Sequence, residues 1–436
     1  MNEGFRRVLI IAYYFPPMGL SGVQRSVKFA KFLPKYGWKP TVLTVEPTGY
    51  FAIDQSLLRE VEDAGVQIVR THSLDANRLF KKKGVVKMPS EWLRKVLQFL
   101  GDTFFIPDTK RGWKKRALRA ARTLLREQHF DLIFATAPPQ TDFLIGQTLK
   151  KEFNIPLVLD YRDAWLEYPF KFYPTPLHRY LNYRLEKRVV RASHRIIATH
   201  RRVKEGLLKR YPFLGYHDVA LIQQGFDEED FTTKEKSSTG KMRIAHAGTF
   251  YAGRTPVTMF RALAAVLKEN PHLRGRIELV LLGNSRQSDQ KLVKKLGLHD
   301  VVSFIGYVEH RECVRQLLLS DVLWFIMDDD CSSPGKIYEY FGTRKTIFAS
   351  VVDGYMKQLV EESTAAICAA PHDQLAHQNA LLQLFSLYEK KQLPRISDEF
   401  ARRFERISLT GELAKQFESL MDYDKNAFVK VEEGNR

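Results

Sequence analysis

The chain has 436 residues, more than one hydrophobic core usually supports, so we expect two domains. Hydrophobic residues make up 44% of it, which excludes a disordered chain, and no apolar run reaches the roughly 18 residues that span a bilayer. Its three cysteines lack C-x-x-C spacing, which favours a reducing compartment and a cytoplasmic location. The formal net charge of +18 indicates anionic partners: nucleic acid, acidic lipid headgroups or phosphorylated substrates.

The first half of the chain alternates aliphatic strands with helical segments. Val8–Ala12 is a continuous aliphatic run, typical of a strand buried on both faces. It leads into Tyr13–Gly22, a loop whose glycines allow the backbone to approach a ligand closely, and a helix then ends near Gly37. Further strands are predicted at Thr41–Val45, Gln67–Arg70, Asp131–Ala135, Pro156–Asp160, Arg195–Thr199 and Val219–Ile222. This alternation predicts a parallel, doubly wound sheet.

A basic and aromatic segment, residues 80–126, interrupts that pattern. It contains fourteen lysines and arginines but only three acidic residues. Apolar residues recur among them at helical spacing, from Trp92 to Phe104-Phe105-Ile106. One interpretation is an interfacial helix on an anionic membrane surface. The other is a helix that packs on the core and leaves its basic face in water.

After a polar, turn-rich stretch at Asp230–Lys241 the pattern starts again, so we place the domain boundary at 235/236. Pro256–Glu269 is predicted to be a helix, and the segment Ala401–Tyr423 an amphipathic helix. The predicted strands are Arg243–Ala247, Ile277–Leu282, Val302–Ile305, Val322–Met327 and Thr346–Ala349. The three predicted parts are residues 1–235, 236–400 and 401–436.

The stretch around Ser333–Glu339 combines a helix start with two charges. Ser333 is a good N-cap residue, Pro334 suits the first helical position, and Gly342 is predicted to end the helix. Lys336 and Glu339 are three residues apart and therefore share one side of that helix. The free N–H groups of a helix N-terminus bind anions, and a carboxylate one turn later accepts hydrogen bonds from a ribose diol. An ordinary surface helix with a solvated ion pair is the alternative.

Several phrases, in this order and spacing, resemble those of GT-B glycosyltransferases of the retaining family 4 type. They are Y-Y-F-P-P-M-G-L-S-G-V-Q-R, F-D-L-I-F-A-T-A-P-P, L-D-Y-R-D-A-W, Q-G-F-D-E-E-D-F, A-G-T-F-Y-A-G-R-T-P, F-I-G-Y-V-E-H and P-G-K-I-Y-E-Y-F. The resemblance implies an α/β fold with two Rossmann-like domains facing across a cleft. It also implies that the second domain holds a nucleotide sugar and that the C-terminal helix crosses back to the first domain.

The resemblance also implies roles for individual residues. Glu339 matches the second glutamate of the family's E-x7-E element, which holds the donor ribose, while Cys331 stands where the first glutamate belongs. Arg254 lies where the family places basic residues on the diphosphate, and an arginine fork suits phosphate. The alternative for Arg254 is a surface salt bridge. The residues expected to bind the donor are Gly19, Gly22, Gly248, Arg254, Ser333, Gly335, Lys336 and Glu339.

The catalytic residues expected from the same resemblance are Arg254, Lys336 and Asp163. The family often has a histidine that contacts the transferred sugar, and neither Thr136–Pro139 nor Asp160–Asp163 contains one. Asp163 is the best substitute for that polar group, and a buried aspartate that caps the next turn is the equal alternative.

One acidic motif resembles a metal site. Asp328-Asp329-Asp330 matches the D-x-D element with which GT-A glycosyltransferases hold Mn²⁺ or Mg²⁺. It lies deep in the second half of the chain, just before Ser333–Glu339, so we predict neither a metal nor any other cofactor. His178, His246 and His310 show no metal-ligand spacing and are expected to be structural.

Together these features predict a retaining, metal-independent glycosyltransferase that acts on a nucleotide-diphosphate sugar. The basic segment 80–126 suggests a lipid-linked or glycan acceptor and a peripheral position on an anionic membrane. The alternatives are a nucleotide-sugar epimerase and a non-catalytic module that binds nucleotide sugars, the latter suggested by Cys331 and the missing histidine. No recognition motif supports nucleic-acid binding.

Overall fold

The computed structural model describes residues 4–19, 21–47, 53–74, 91–168, 171–231, 240–250, 254–330 and 334–433, leaving aside the side chains of residues 21, 91–95 and 422–433. Contacts divide the described chain into two compact units. Unit 1 contains the chain up to Gln224 together with the C-terminal segment from Arg406. Unit 2 contains Gly225–Asp330 and Pro334–Glu405.

Unit 1 is built on a seven-stranded parallel sheet of order β3-β2-β1-β4-β5-β6-β7. Its strands are β1 (Arg6–Ile11), β2 (Trp38–Val45), β3 (Gln67–Thr71), β4 (Leu132–Ala137), β5 (Leu157–Tyr161), β6 (Arg195–Ala198) and β7 (Val219–Leu221). Its helices in the described ranges are α1 (Ser21–Phe32), α2 (Gln55–Asp63), α3 (Glu91–Phe104), α4 (Lys114–Glu127), α5 (Thr141–Phe153), α6 (Pro176–Ala192), α7 (Arg201–Arg210) and α15 (Arg406–Glu433).

Alternating residues of the central strands fill two cores, one on each face of this sheet. Leu9 and Ile11 of β1 belong to one core, and Val8 and Ile10 belong to the other. A strand buried on both faces has no polar side, which is why Val8–Ala12 is readable as one aliphatic run. In the second core α15 contributes Leu409, Leu413 and Phe417, and the ring of Phe417 lies 5.1 Å from that of Trp38.

Unit 2 repeats the plan with six parallel strands of order β10-β9-β8-β11-β12-β13. Its strands are β8 (Met242–Ala247), β9 (Ile277–Leu282), β10 (Val302–Gly306), β11 (Val322–Met327), β12 (Thr346–Val351) and β13 (Ala366–Ala369). Its helices are α8 (Val257–Glu269), α9 (Gln287–Lys295), α10 (His310–Leu318), α11 (Lys336–Thr343), α12 (Tyr355–Glu362), α13 (Gln374–Glu389) and α14 (Asp398–Arg402).

Each sheet has one point at which the strand order reverses direction. In unit 1 it lies between β1 and β4, and in unit 2 between β8 and β11. Parallel α/β sheets bind ligands outside the carboxyl ends of the strands at such a point, because the loops of the two strands diverge there. The fold therefore predicts ligand binding at the loops after β1, β4, β8 and β11.

The predicted fold class is confirmed, and the structure corrects details of it. The predicted loop Tyr13–Gly22 is shorter, since α1 already begins at Ser21. The strand Ala366–Ala369 was not predicted. The predicted helix Ala401–Tyr423 is two helices, α14 and α15. Gly342 does not end α11, which continues to Thr343 and is followed by Arg344 in the left-handed conformation.

The contact boundaries also differ from the predicted ones at 235/236 and 400/401. They fall at Gln224/Gly225 and at Glu405/Arg406. Phe226 explains the difference, because it lies in a core of unit 2 and its N–H donates to the carbonyl of Phe404, 3.0 Å away. Residues 232–239, the centre of the predicted linker, lie outside the described ranges.

Candidate functional site

A buried ion pair lies at the start of α11, in the connection that follows β11. Lys336 Nζ is 2.6 Å from Glu339 Oε2, as the three-residue spacing predicted. The alternative of a solvated ion pair on a surface helix does not hold for Glu339, whose side chain is only 3% exposed. The cause is α11 itself, since Ile337, Tyr338, Tyr340 and Phe341 are all buried and every side of the helix is covered.

One oxygen of the Glu339 carboxylate accepts no hydrogen bond from the described residues. Glu339 Oε2 accepts from Lys336, whereas Glu339 Oε1 is buried and makes no hydrogen bond within the described part of the chain. A buried acceptor without a donor costs roughly 1–3 kcal/mol of stability. A ligand that donates to Oε1 would remove this cost, and a sugar hydroxyl is such a donor.

The charges around Glu339 keep it ionised despite its burial. Burial opposes the charge, but Lys336 and then His310 outweigh it and lower the pKa of Glu339. Burial likewise opposes the charge of Lys336, yet Cys313 and Glu339 raise the pKa of that amine. His310 donates to Asp230 Oδ2 at 3.1 Å, and this bond raises the histidine pKa against the effect of burial. The result is a chain of paired charges from Lys336 to Asp230.

Arg254 lies in the loop after β8, on the other side of the strand reversal, as the sequence predicted. Its Nη2 is 2.8 Å from Asp329 Oδ2, and its Nε is 3.4 Å from Asp328 Oδ1. The two carboxylates follow β11, so the pair spans the reversal point of the sheet. The third residue of the acidic motif, Asp330, accepts from the N–H of Tyr355 at the start of α12. In the described ranges no cluster of three or more His, Cys, Asp or Glu side chains has the arrangement of a metal site.

Closely spaced backbone and stacked aromatic rings lie at the carboxyl ends of β8 and β9. A side chain at Gly283 would clash with the carbonyl of Gly248, so glycine lets the ends of β8 and β9 approach closely there. His246 donates from Nδ1 to the carbonyl of Trp324 at 2.9 Å and stacks on Phe250 with ring centroids 4.5 Å apart. Burial lowers the pKa of His246 to about 4, so the ring is neutral at pH 7.

The other predicted site residues have these positions. Gly335 is the N-cap of α11 and Gly248 follows β8, so both lie beside the residues above in unit 2. Ser333 lies outside the described residues. Gly19, Gly22 and Asp163 belong to unit 1, where Gly19 is buried ahead of α1, Gly22 is exposed in its first turn, and Asp163 is half-buried after β5.

Three groups near these positions were not predicted. His310 and Cys313 sit one turn apart on α10, and both influence the Lys336–Glu339 pair. The available signal was the phrase F-I-G-Y-V-E-H, which ends at His310. In unit 1, Asp142 accepts from the N–H of Tyr13 at 2.8 Å and so joins the loops after β1 and β4. Nothing in the local sequence distinguishes Asp142 from a helix-capping aspartate.

Comparison with known proteins adds to this geometry. Residues 20–230 match the model of Glycosyltransferase Family 4. The chain is 29% identical over 168 residues to the D-inositol 3-phosphate glycosyltransferase of Streptomyces scabiei, a match that covers 35% of each protein. The aligned part thus spans about a third of the length of that relative.

Solved structures resemble the chain over nearly its whole length. HepE of Anabaena, in complex with UDP and glucose, matches with a TM-score of 0.64 and 15% identity over 95% of this chain and 100% of that one. Sucrose-phosphate synthase of Thermosynechococcus elongatus matches with a TM-score of 0.62 and 14% identity over 96% and 100%. At these identities the likeness shows the fold, which is that of GT-B glycosyltransferases.

Proposed function

We propose that this protein transfers a sugar from a nucleoside-diphosphate sugar to an acceptor, with retention of configuration and without a metal ion. The observation that carries the proposal is the buried, ionised Glu339 with one oxygen unused by the described residues. Such a carboxylate suits the two hydroxyl groups of a donor ribose. The family match over residues 20–230 and the fold shared with HepE, which was solved with UDP and glucose, support the same activity.

Unit 2 supplies the groups that such a donor needs. Gly335, Lys336 and the first N–H groups of α11 form a positive helix terminus that suits a diphosphate. Arg254 adds a guanidinium that Asp328 and Asp329 hold in place before a donor binds. Gly248 allows the backbone to pass close to the phosphates. The proposed roles of Ser333, Gly19, Gly22 and Asp163 rest on the family resemblance.

The proposed reaction breaks the bond between the anomeric carbon and the leaving phosphate and forms a bond from that carbon to the acceptor oxygen. The acceptor proton goes to an oxygen of the leaving diphosphate. Charge grows on that diphosphate as its bond breaks, so Arg254 and Lys336 stabilise the transition state more than the bound donor. With two cations at the leaving group, the mechanism needs no metal.

The first experiment measures donor binding by thermal shift with UDP-, GDP- and ADP-sugars. A donor present at a hundred times its dissociation constant stabilises the folded protein by about 2.7 kcal/mol. Glu339→Gln is expected to reduce the shift, and Lys291→Gln, at an exposed position of α9, serves as the control. A binding donor whose shift is the same in Glu339→Gln would remove Glu339 from the site.

Turnover separates the proposed transferase from its alternatives. A transferase consumes the donor faster when an acceptor is present, and activity is expected to survive EDTA. An epimerase converts the donor without an acceptor, whereas a non-catalytic module binds it and neither transfers nor hydrolyses it. Activity that EDTA abolishes and Mn²⁺ restores would assign Asp328–Asp330 to a metal instead.

A further inference from the structure

Large apolar side chains lie in water along the C-terminal half of α3. Leu97, Leu100 and Phe104 are spaced by three and four residues and share one face of the helix. Phe104 is 72% exposed, and Phe99 and Phe105 beside it are exposed as well. Single exposed apolar residues are common on protein surfaces, but a contiguous group marks an interaction site.

A second helix continues this surface. On α6, Leu177, Tyr180 and Leu181 follow the same three- and four-residue spacing, and Leu177 is 60% exposed. Phe172, just before α6, is also exposed and places its ring 5.3 Å from that of Phe99. We call these nine side chains the aromatic ridge: Leu97, Phe99, Leu100, Phe104, Phe105, Phe172, Leu177, Tyr180 and Leu181.

Polar contacts fix the two halves of the ridge against each other. The N–H of Phe172 donates to Asp102 Oδ2 of α3 at 3.2 Å. His178 Nε2 lies 3.1 Å from the carbonyl of Thr103, so α6 and α3 are joined directly. The ridge is therefore a surface shared by two elements that are more than seventy residues apart in the chain.

The border of the ridge is basic. Helix α6 carries five lysines and arginines but one acidic residue, Glu186, which is fully buried. The guanidinium of Arg184 lies 5.9 Å from the ring of Tyr180 on the ridge. Arg111 donates from Nη1 to the carbonyl of Ile106, 3.3 Å away and next to Phe105 of the ridge. Burial lowers the pKa of Lys114, and the like charges of Arg111 and Arg188 lower it further. A polyanionic surface would relieve their mutual repulsion.

We propose that the aromatic ridge docks on an anionic lipid bilayer, with its apolar side chains among the acyl chains and its basic border on the headgroups. Such a bilayer matches both features at once, since it offers a hydrocarbon layer beneath a negative surface. A second copy of this chain matches the apolar part only, because it would bring the same positive border and the same net charge of +18. Sequence alone left a core helix as the alternative, and the exposure of Phe104 argues against it.

The docking goes beyond the proposed sugar transfer and does not depend on it. Vesicle binding is measured without donor or acceptor, so its failure would leave the proposed transferase activity untouched. Conversely, a protein that docks but transfers no sugar would keep the ridge and lose the proposed function.

Co-sedimentation of the full chain with vesicles tests the apolar part of the ridge. We expect binding to vesicles of phosphatidylcholine with phosphatidylglycerol and little binding to phosphatidylcholine alone. Phe104→Ser with Leu177→Ser is expected to weaken binding by roughly tenfold or more, because each removes apolar area that would enter the bilayer. The matched control is Leu375→Ser, a leucine 65% exposed on α13 of unit 2.

The charged border has its own test. Arg179→Glu with Arg184→Glu is expected to weaken binding by roughly thirtyfold or more, since each basic residue near the headgroups contributes about 1 kcal/mol. Lys291→Glu with Lys294→Glu changes the same number of charges on α9 of unit 2 and is expected to have a much smaller effect.

Three results would overturn the proposal. The first is wild-type protein that ignores anionic vesicles. The second is a Phe104→Ser, Leu177→Ser variant that binds as well as wild type, or that melts several degrees earlier and so shows these side chains to be packed. The third is sedimentation equilibrium that shows a dimer lost in this variant, which would assign the ridge to a second copy of the chain.

Discussion

Asp142 of unit 1 and Glu339 of unit 2 occupy equivalent places in the two halves of the molecule. Each lies in the first turn of the helix that follows the fourth strand of its unit, β4 or β11. Each is buried, each has one oxygen paired, and each has a second oxygen without a hydrogen bond in the described ranges. Topology therefore repeats the same carboxyl group at the same edge of both sheets.

The pKa values of the two carboxyl groups nevertheless shift in opposite directions. Burial raises the pKa of Asp142 well above its ordinary value, and the like charge of Asp108 adds to this. The hydrogen bond from the Tyr13 N–H and the charge of Arg162 offset it only in part. At Glu339 the amine of Lys336 is 2.6 Å away, and this cation lowers the pKa of the carboxyl despite its burial. The cation in contact with Glu339, which has no counterpart at Asp142 among the described residues, accounts for the opposite directions of the two shifts. That difference separates a structural acid from a candidate ligand site.

Removing the cation of Lys336 is expected to have the largest effect on stability. Lys336→Met leaves Glu339 buried without its partner, which typically costs roughly 3–5 kcal/mol of stability. We expect the urea midpoint at pH 7 to fall accordingly, and the added change Glu339→Gln to restore most of it. Equal stability of Lys336→Met and wild type would show that the buried Glu339 does not depend on this cation.

His246 tests whether burial sets the pKa of a side chain that has no counter-charge nearby. Its pKa is about 4 in the folded protein, below the ordinary value of 6.5, so protonation favours the unfolded chain. The stability from the neutral ring is complete above pH 6.5 and is lost as the pH falls through 4, about 3 kcal/mol in all. His246→Asn keeps a donor for Trp324 but does not titrate. Urea midpoints from pH 7 to 4 are expected to fall less steeply in the variant, and parallel curves would contradict the assignment.

Arg254 is the cation that unit 2 holds between two carboxylates, Asp328 and Asp329. Arg254→Ala is expected to lower kcat roughly a hundredfold, the usual effect of losing one hydrogen-bond donor to the charge that develops in the transition state. The affinity for the sugar donor is expected to change less. Steady-state kinetics with the donor identified by thermal shift measure both quantities. A rise in KM at constant kcat would mean that Arg254 binds the ground state and the transition state equally.

The smallest effects come from a matched pair of amide substitutions. Glu339→Gln removes a charged acceptor and is expected to weaken donor binding by about 1.5–3 kcal/mol. Asp142→Asn removes a carboxyl whose charge burial already disfavours, so the free energies of donor binding and of unfolding are expected to change by less than about 1 kcal/mol. Isothermal titration and urea unfolding of both variants compare the two sites directly. Equal losses of donor affinity would erase the distinction between them.

The fold was predictable because its strands are buried on both faces. Val322–Met327 is apolar throughout, Ile277–Leu282 is apolar except for Glu278, and their predicted bounds agree with β11 and β9. The edge strand Ala366–Ala369 was missed because it has four residues and three of them are only partly buried. Gly342 looked like a helix stop, yet it is glycine because Phe226 and Phe231 pack against it.

The candidate site was predictable only where its residues are neighbours in the chain. The Lys336–Glu339 contact follows from helical spacing, but the burial of Glu339 depends on aromatic residues that the fold brings to every side of α11. The partners of Arg254 are more than seventy residues away, and so is the partner of His310. Pairings of this kind arise from strand order, which local patterns do not encode.

Helix α15 has a consequence for how the protein is made. Its Leu409, Leu413 and Phe417 complete a core that also contains Trp38, although the whole of unit 2 separates them in the chain. On the ribosome, unit 1 emerges first but has to wait for residues made after unit 2, whereas unit 2 has its entire sequence earlier. The half that is made first is thus the half that closes last, and until then the apolar surface around Trp38 is open to chaperones.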